Sequence, residues 1–261
     1  MDYDFFKRKF AWLTGFDLDS YKDKQMERRI QQFIRRMEID SYDSYYKLLE
    51  SSDQEKIRFL NFLTINQTSF FRDLPVFKNI KNNVLPEILE RKKARIKIWS
   101  AGCSNGAETY SLSILMFELI GNGTQPYRYC IVATDIDSQV LKQAELGLFP
   151  VNLLDHVSKK SREKYFFPVG DKLQIKPEIK KRVIFRQHDL LKDEYEDNCD
   201  LILCRNVFIY FKPETQQKLL AKFMEALNPR GYFITGSSEH VSSYHQWGLE
   251  KKHMAIYQKV K

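Results

Sequence analysis

From Ile96 onward, short β-rich runs and helical runs take turns along the chain, and this alternation limits the possible folds more than any other feature. Ile96–Trp99, Ile131–Thr134, Val183–Arg186, Leu201–Cys204 and Tyr232–Thr235 read as strands, rich in β-branched and aromatic residues. Helical spacing fills Glu108–Ile120, Ser138–Leu146 and Pro213–Leu227 between or after them. Strands separated by helices pair in parallel, because each connection must cross a face of the sheet. The expected class is α/β: a doubly wound, mostly parallel, Rossmann-like sheet covered by helices. Pro213 just inside a helix start and Asn228-Pro229-Arg230-Gly231 at its end mark the last helix. Met254 to Val260 reads as one more strand.

The first eighty residues read as helices with no convincing strand. In Lys24–Met37, Met26, Ile30, Phe33, Ile34 and Met37 fall on one side, while Lys24, Arg28, Gln31 and Arg35 line another. Arg29 and Arg36 widen the basic face. Glu27 alone opposes five basic residues in this stretch, so intrahelical salt bridges do not explain the pattern. The plain reading is a solvated helix face; the sharper one is a docking surface for an acidic partner. The chain is expected to divide into an all-helical domain, residues 1–78, and an α/β domain, residues 79–261, with a linker around Arg72–Asn82. Residues 151–182 break the alternation. A basic helical stretch, Ser158–Tyr165, precedes Phe166–Ile175, where Gly170-Asp171 separates two short apolar segments. That pattern predicts a hairpin, hence a small β insertion.

The net charge of +8 is unevenly spread. Residues 81–100 hold six Lys or Arg against two Asp or Glu, and residues 151–187 hold ten against four. An acidic protein surface uses such patches as readily as a phosphate backbone does. No apolar run approaches the roughly 20 residues that span a bilayer, and Met1-Asp2-Tyr3-Asp4-Phe5 lacks the basic-then-apolar order of a secretion signal. A cytoplasmic location without membrane insertion is expected, where the four cysteines stay reduced. Without a C-x-x-C pair, and with five scattered histidines, no metal site is expected; the cysteines read as small buried hydrophobes.

The strand Ile96–Trp99 runs into Ser100-Ala101-Gly102-Cys103-Ser104-Asn105-Gly106, and a helix follows. Small residues there let the backbone approach a ligand and aim amide hydrogens of the helix start at it; a tight strand-to-helix turn has the same composition. It is not a phosphate-binding P-loop. The second strand ends at Asp135, placed to hydrogen-bond both hydroxyls of a ribose, with Asp137 nearer to capping the next helix. On these features alone, NAD and S-adenosylmethionine both remain open.

Four segments occur in order: Asn66-Gln67-Thr68-Ser69-Phe70-Phe71-Arg72-Asp73, Trp99-Ser100-Ala101-Gly102-Cys103-Ser104-Asn105-Gly106, Ala133-Thr134-Asp135-Ile136-Asp137, and Cys204-Arg205-Asn206-Val207-Phe208-Ile209-Tyr210-Phe211. Together they resemble the chemotaxis receptor methyltransferase family, CheR, over nearly the whole chain as far as Gly236-Ser237-Ser238-Glu239. The resemblance implies an S-adenosylmethionine cofactor, with S-adenosylhomocysteine as product. It implies that Asn66, Thr68 and Arg72 close over the methionine end, Gly102 opens the turn, and Glu108 meets the amino acid portion. Asp135 holds the ribose, Asp189 and Leu190 flank the adenine, and Arg205 and Asn206 complete the site. Arg72 and Tyr210 stand at the reaction, Tyr210 near the transferable methyl. Phe70, Phe71 and Ile209 read as packing, and Arg205 has the alternative of pairing with a core carboxylate. Where the family's loop usually continues S-T-G-E-E-P-Y-S, this chain has Ser104-Asn105-Gly106-Ala107-Glu108-Thr109-Tyr110-Ser111, keeping the second acid and losing the first.

The implied partners are the cytoplasmic methylation helices of chemotaxis receptors, recognised by residues 1–78 through Arg28, Arg29, Arg35 and Arg36, with the enzyme a monomer. Some relatives grip a receptor tail peptide with the β insertion. The hairpin at Val169-Gly170-Asp171-Lys172 is short, so recognition without that peptide is expected. Glutamate carboxylates are ionised at neutral pH, so direct methyl transfer needs no general base. A non-catalytic cofactor-binding docking protein is the alternative. A nucleic-acid methyltransferase is disfavoured, since Arg205-Asn206-Val207-Phe208 stands where a D-P-P-Y type segment would be and no Pro-Cys nucleophile occurs; no nucleic-acid partner is expected.

Overall fold

A computed structural model describes residues 1–64, 66–92, 95–121 and 128–260; Lys93 of the first basic block lies outside them. The chain forms two compact units, Met1–Ile65 with Ile209–Lys218, and Asn66–Phe208 with Leu219–Lys261.

The first unit is helical: α1 (Tyr3–Thr14), α2 (Asp23–Arg36), α3 (Tyr42–Ser51) and α4 (Asp53–Leu63). Asp2, Ser41 and Ser52 side chains accept backbone N–H bonds at the starts of α1, α3 and α4, satisfying donors that the first turn leaves over. Phe6, Phe10, Phe33, Tyr45 and Phe59 interlock as an aromatic core. On α2, Met26, Ile30, Phe33 and Ile34 are buried, as the spacing predicts.

The second unit opens with α5 (Leu74–Asn79), which passes through a π-helical turn, Ile80–Val84, into α6 (Leu85–Arg91). The stretch expected to be a linker is therefore largely helical. Val76, Phe77, Ile80, Val84, Leu85 and Ile88 are buried at helical spacing against the sheet, so this segment is part of the core. Pro86 cannot donate a helical hydrogen bond, and Leu85 N–H donates to the Ile80 carbonyl, five residues back.

Next come β1 (Arg95–Ala101), α7 (Ala107–Ile120), β2 (Arg128–Asp135), α8 (Ser138–Leu146) and β3 (Leu148–Pro150). Then follow α9 (Lys159–Tyr165), β4 (Phe166–Val169), β5 (Lys172–Ile175), α10 (Pro177–Lys180), β6 (Val183–Gln187) and β7 (Cys199–Leu203). The chain ends with α11 (Pro213–Ala226), β8 (Leu227–Ile234), β9 (Leu249–His253) and β10 (Ile256–Lys259). The main sheet has the order β6-β2-β1-β7-β8-β10-β9. Its β6-β2-β1-β7-β8 stretch is parallel and β10 and β9 are antiparallel. The insertion is a separate sheet, β3-β5-β4, with the expected hairpin at Gly170-Asp171 plus β3, which sequence reading missed. Strand order reverses at β1, which pairs with β2 on one side and β7 on the other. The crevice outside the carboxyl ends of such strands is where α/β sheets bind ligands. Among the described residues, no helix is long and apolar enough to cross a membrane.

Candidate active site

The turn after β1 is built on two left-handed glycines. Gly102 has φ +71°, and a Cβ there would lie 2.5 Å from Val207 Cγ2 in the segment after β7. Gly106 has φ +83°, with Ala144 and Phe185 occupying the space a Cβ would need. Only glycine meets both conditions without strain. The Gly102 and Cys103 amides bond the Thr134 carbonyl at 2.8 and 2.9 Å, fastening the turn to β2.

Asp135 ends β2 and is buried. One oxygen accepts the Ser104 amide at 2.8 Å and the other the Asp137 amide at 3.0 Å. Burial raises its carboxyl from 3.8 to about 6 against the opposing pull of those amide hydrogen bonds. The Ile136 amide also bonds this carboxylate, which with about four acceptor positions still has capacity for a ligand hydroxyl. Asp137 caps α8 through the Gln139 and Val140 amides and accepts Asn66 Nδ2 at 2.8 Å. His188 N–H donates to the Asp135 carbonyl at 2.9 Å, bringing Asp189 and Leu190 to the same strand ends. The Asp189 carboxylate accepts the Leu191 amide, and Tyr195 Oη donates to the Leu190 carbonyl. Two buried polar atoms at these strand ends, Ser104 Oγ and His188 Nδ1, have no hydrogen-bond partner among the described residues, an unusual condition for buried groups. The donor and acceptor set therefore fits a nucleoside.

On the β7 side the site is ionic. The Arg205 side chain is fully enclosed and bonds Glu108 at 2.6 Å, Asp73 of the segment before α5, and the Thr235 carbonyl at 3.3 Å. Ser237 Oγ adds a 2.7 Å bond to Asp73. Asn206, at φ +60°, donates its amide to Glu239 at 2.7 Å, and Gly236 leaves room for its side chain. Arg72 lies between two left-handed residues, Phe71 and Asp73, and donates to the Gln67 carbonyl at 2.8 Å. Thr68 is half-buried.

The structure thus gathers Asn66, Gly102, Asp135, Asp189 and Leu190 at one set of strand ends, and Glu108, Arg205 and Asn206 around the ion cluster. Asp73, Ser237 and Glu239 were missed as site residues; the acids at 73 and 239 stand inside the quoted motifs, which was the available signal. Tyr210 belongs to the helical unit. On α2, Arg28, Arg35 and Arg36 are exposed. Arg29 instead packs 4.9 Å over the Phe62 ring and donates to the Phe62 carbonyl.

A glycine turn, a strand-end acid and a crevice at the reversal of strand order define a nucleotide-cofactor α/β domain, here preceded by a helical unit. The sequence profile of the CheR methyltransferase all-alpha domain matches residues 1–64, and that of the CheR methyltransferase SAM binding domain matches residues 66–256. The chain is similar to the chemotaxis protein methyltransferase of Listeria monocytogenes, 37% identical over 95% of this chain and 93% of the relative. Chemotaxis protein methyltransferase 2 of Pseudomonas aeruginosa is 32% identical over 92% and 86%, and the Escherichia coli protein 31% over 88% and 80%. The chain belongs to the CheR methyltransferase family. It is an S-adenosylmethionine-dependent methyltransferase of chemotaxis.

Proposed function

We propose that this chain esterifies glutamate side chains on the methylation helices of chemotaxis receptors, in the cytoplasm and as a monomer, giving glutamyl methyl esters and S-adenosylhomocysteine. When bound, the cofactor supplies an electrophilic sulfonium methyl. Asp135 holds the ribose, and the turn from Gly102 to Gly106 receives the rest of the nucleoside beside Asp189 and Leu190. Asn66, Thr68, Glu108, Arg205 and Asn206 shape the amino acid end. Arg72 orients a carboxylate, and Tyr210 stands at the methyl.

One observation carries this reading: both CheR methyltransferase domains match, over residues 1–64 and 66–256, and the buried thiols beside the strand-end turns offer no competing nucleophile. Burial, with nearby carboxylates, pushes Cys103 and Cys204 well above the ordinary thiol range. An acceptor already charged at neutral pH suits such a site, where alignment and water exclusion do the catalysis. The test is alkali. Radiolabelled methyl placed on receptor-containing membranes should leave as volatile methanol in mild base, and alanine at the acceptor glutamates should abolish labelling. Label that resists base, or that resides on RNA or DNA, would overturn the ester assignment.

A further inference from the structure

After Phe208 the chain leaves the sheet unit, joins the helical unit over Ile209–Lys218, and returns. The excursion is fastened at both ends of a short stretch. Lys22 N–H donates to the Tyr210 carbonyl at 2.9 Å, and Lys212 N–H to the Ser20 carbonyl at 3.0 Å. Tyr21 and Phe211 form an antiparallel bridge with their rings 4.8 Å apart.

Beneath it runs a chain of ions. Lys7 Nζ, its side chain only 7% exposed, meets Asp4 at 3.1 Å, Asp19 at 2.7 Å and Asp23 at 2.9 Å. The other oxygen of Asp23 receives Lys212 Nζ at 2.8 Å. Burial opposes the charge on Lys7, yet hydrogen bonds to Asp19, Asp23 and Asp4 hold its pKa above the ordinary lysine value. Burial likewise opposes ionisation of Asp23, and Lys212 and Lys7 outweigh it, holding the carboxyl below its ordinary value. Asp23 is also the first residue of α2, where a negative charge suits the helix dipole.

We propose that Asp23 and Lys212 are positioning residues for Tyr210: their ion pair, anchored by Lys7, fixes residues 209–212 on the start of α2. The helix offered to the receptor and the tyrosine offered to the reaction then form one rigid piece. A single ion pair of this exposure is worth little to overall stability; its consequence is orientation, to which transfer rates are steeply sensitive. The inference rests on the reading of Tyr210 and α2 given above.

A double-mutant cycle tests it. Transfer kinetics to receptor membranes are measured for wild type, Lys212→Met, Tyr210→Phe and the double variant, with S-adenosylhomocysteine affinity by calorimetry. Lys212→Met should lower kcat about fivefold and leave that affinity unchanged, and Lys212→Arg should recover most of the rate. In the Tyr210→Phe background, Lys212→Met should change kcat by less than about twofold. Effects that multiply, or a Lys212→Met enzyme at the wild-type rate, would overturn the positioning role. Tyr210→Phe at the wild-type rate would instead strike down the reading of Tyr210. Asp23→Asn breaks the same pair from the other side and must show the same non-additivity, which covers the case of a poorly folded Lys212→Met.

Discussion

Two groups of acids flank the glycine turn, buried Asp135 on one side and buried Glu108 with half-buried Asp73 on the other, and they are held in different ways. Asp135, on the β2 side, has backbone amides and, among the described residues, no cation; burial raises its pKa to about 6. Glu108 and Asp73, on the β7 side, share the enclosed guanidinium of Arg205. A carboxylate held by dipoles keeps acceptor capacity for a ligand, at a cost to the apoprotein. A carboxylate neutralised by a buried counterion is largely committed to the fold, and its partner with it. Arg205 thus serves first as the clasp that draws residues 73, 108 and 235 onto the end of β7, whatever it adds to cofactor binding.

The largest effect should come from breaking the clasp. Arg205→Met leaves buried Glu108 and half-buried Asp73 without a counter-charge and should cost about 3–5 kcal/mol of stability in urea titration. Adding Asp73→Asn and Glu108→Gln should recover most of it, since the penalty lies in uncompensated charge. If Arg205→Met alone unfolds at the wild-type midpoint, the two acid groups do not differ in the way described.

Much of this arrangement was legible in the sequence, and the illegible part has a common cause. The parallel strands and their helices follow from local apolar runs, and the glycine turn and Asp135 from a strand-to-helix junction. What failed to show was tertiary. Asp73 meets Arg205 from 132 residues away, and no periodicity records that. β9, Leu-Glu-Lys-Lys-His, is an edge strand exposed at every position after Leu249, so it carries no apolar alternation. The segment after Arg72 resembled a linker because Lys78, Asn79, Lys81, Asn82 and Asn83 interrupt its buried residues. The excursion of residues 209–218 into the helical unit has no sequence mark at all.

The next effect concerns Asp135. Asp135→Ala should remove charge-assisted hydrogen bonds worth about 1.5–3 kcal/mol each and weaken S-adenosylhomocysteine binding by at least roughly tenfold in calorimetry. Wild-type affinity should hold above about pH 6 and fall below it, as the carboxyl raised to about 6 takes up its proton. Stability runs the other way. The folded state binds this proton at higher pH than the unfolded chain, so Asp135 contributes most below about pH 4 and loses that contribution as pH rises to about 6. Relative to Asp135→Ala, wild-type apoprotein should lose roughly 3 kcal/mol across that window, at 1.36 kcal/mol per pKa unit. A pH-independent difference would mean that Asp135 resembles the paired acids.

The smallest effect belongs to charge that is never buried. Arg28, Arg35 and Arg36 stand in solvent on α2, whereas Arg29 is engaged with Phe62. Exposed pairs contribute about 0.2–1 kcal/mol each, and they act mainly on encounter with an oppositely charged surface. Reversing Arg28 and Arg35 to Glu should therefore lower kcat/KM for receptor about fivefold at low salt, with the deficit shrinking as the screening length falls to about 10 Å at 0.1 M. S-adenosylhomocysteine affinity should not move. Arg29→Ala should behave differently, lowering thermal stability through lost packing and a lost carbonyl bond, with no salt dependence. Should the double reversal methylate receptors at the wild-type rate in low salt, α2 is a solvated face and receptor recognition lies elsewhere. Should Arg29→Ala show the salt-dependent loss instead, the docking charge is the half-buried one, and the contrast between exposed and committed charge on this helix has been drawn at the wrong residue.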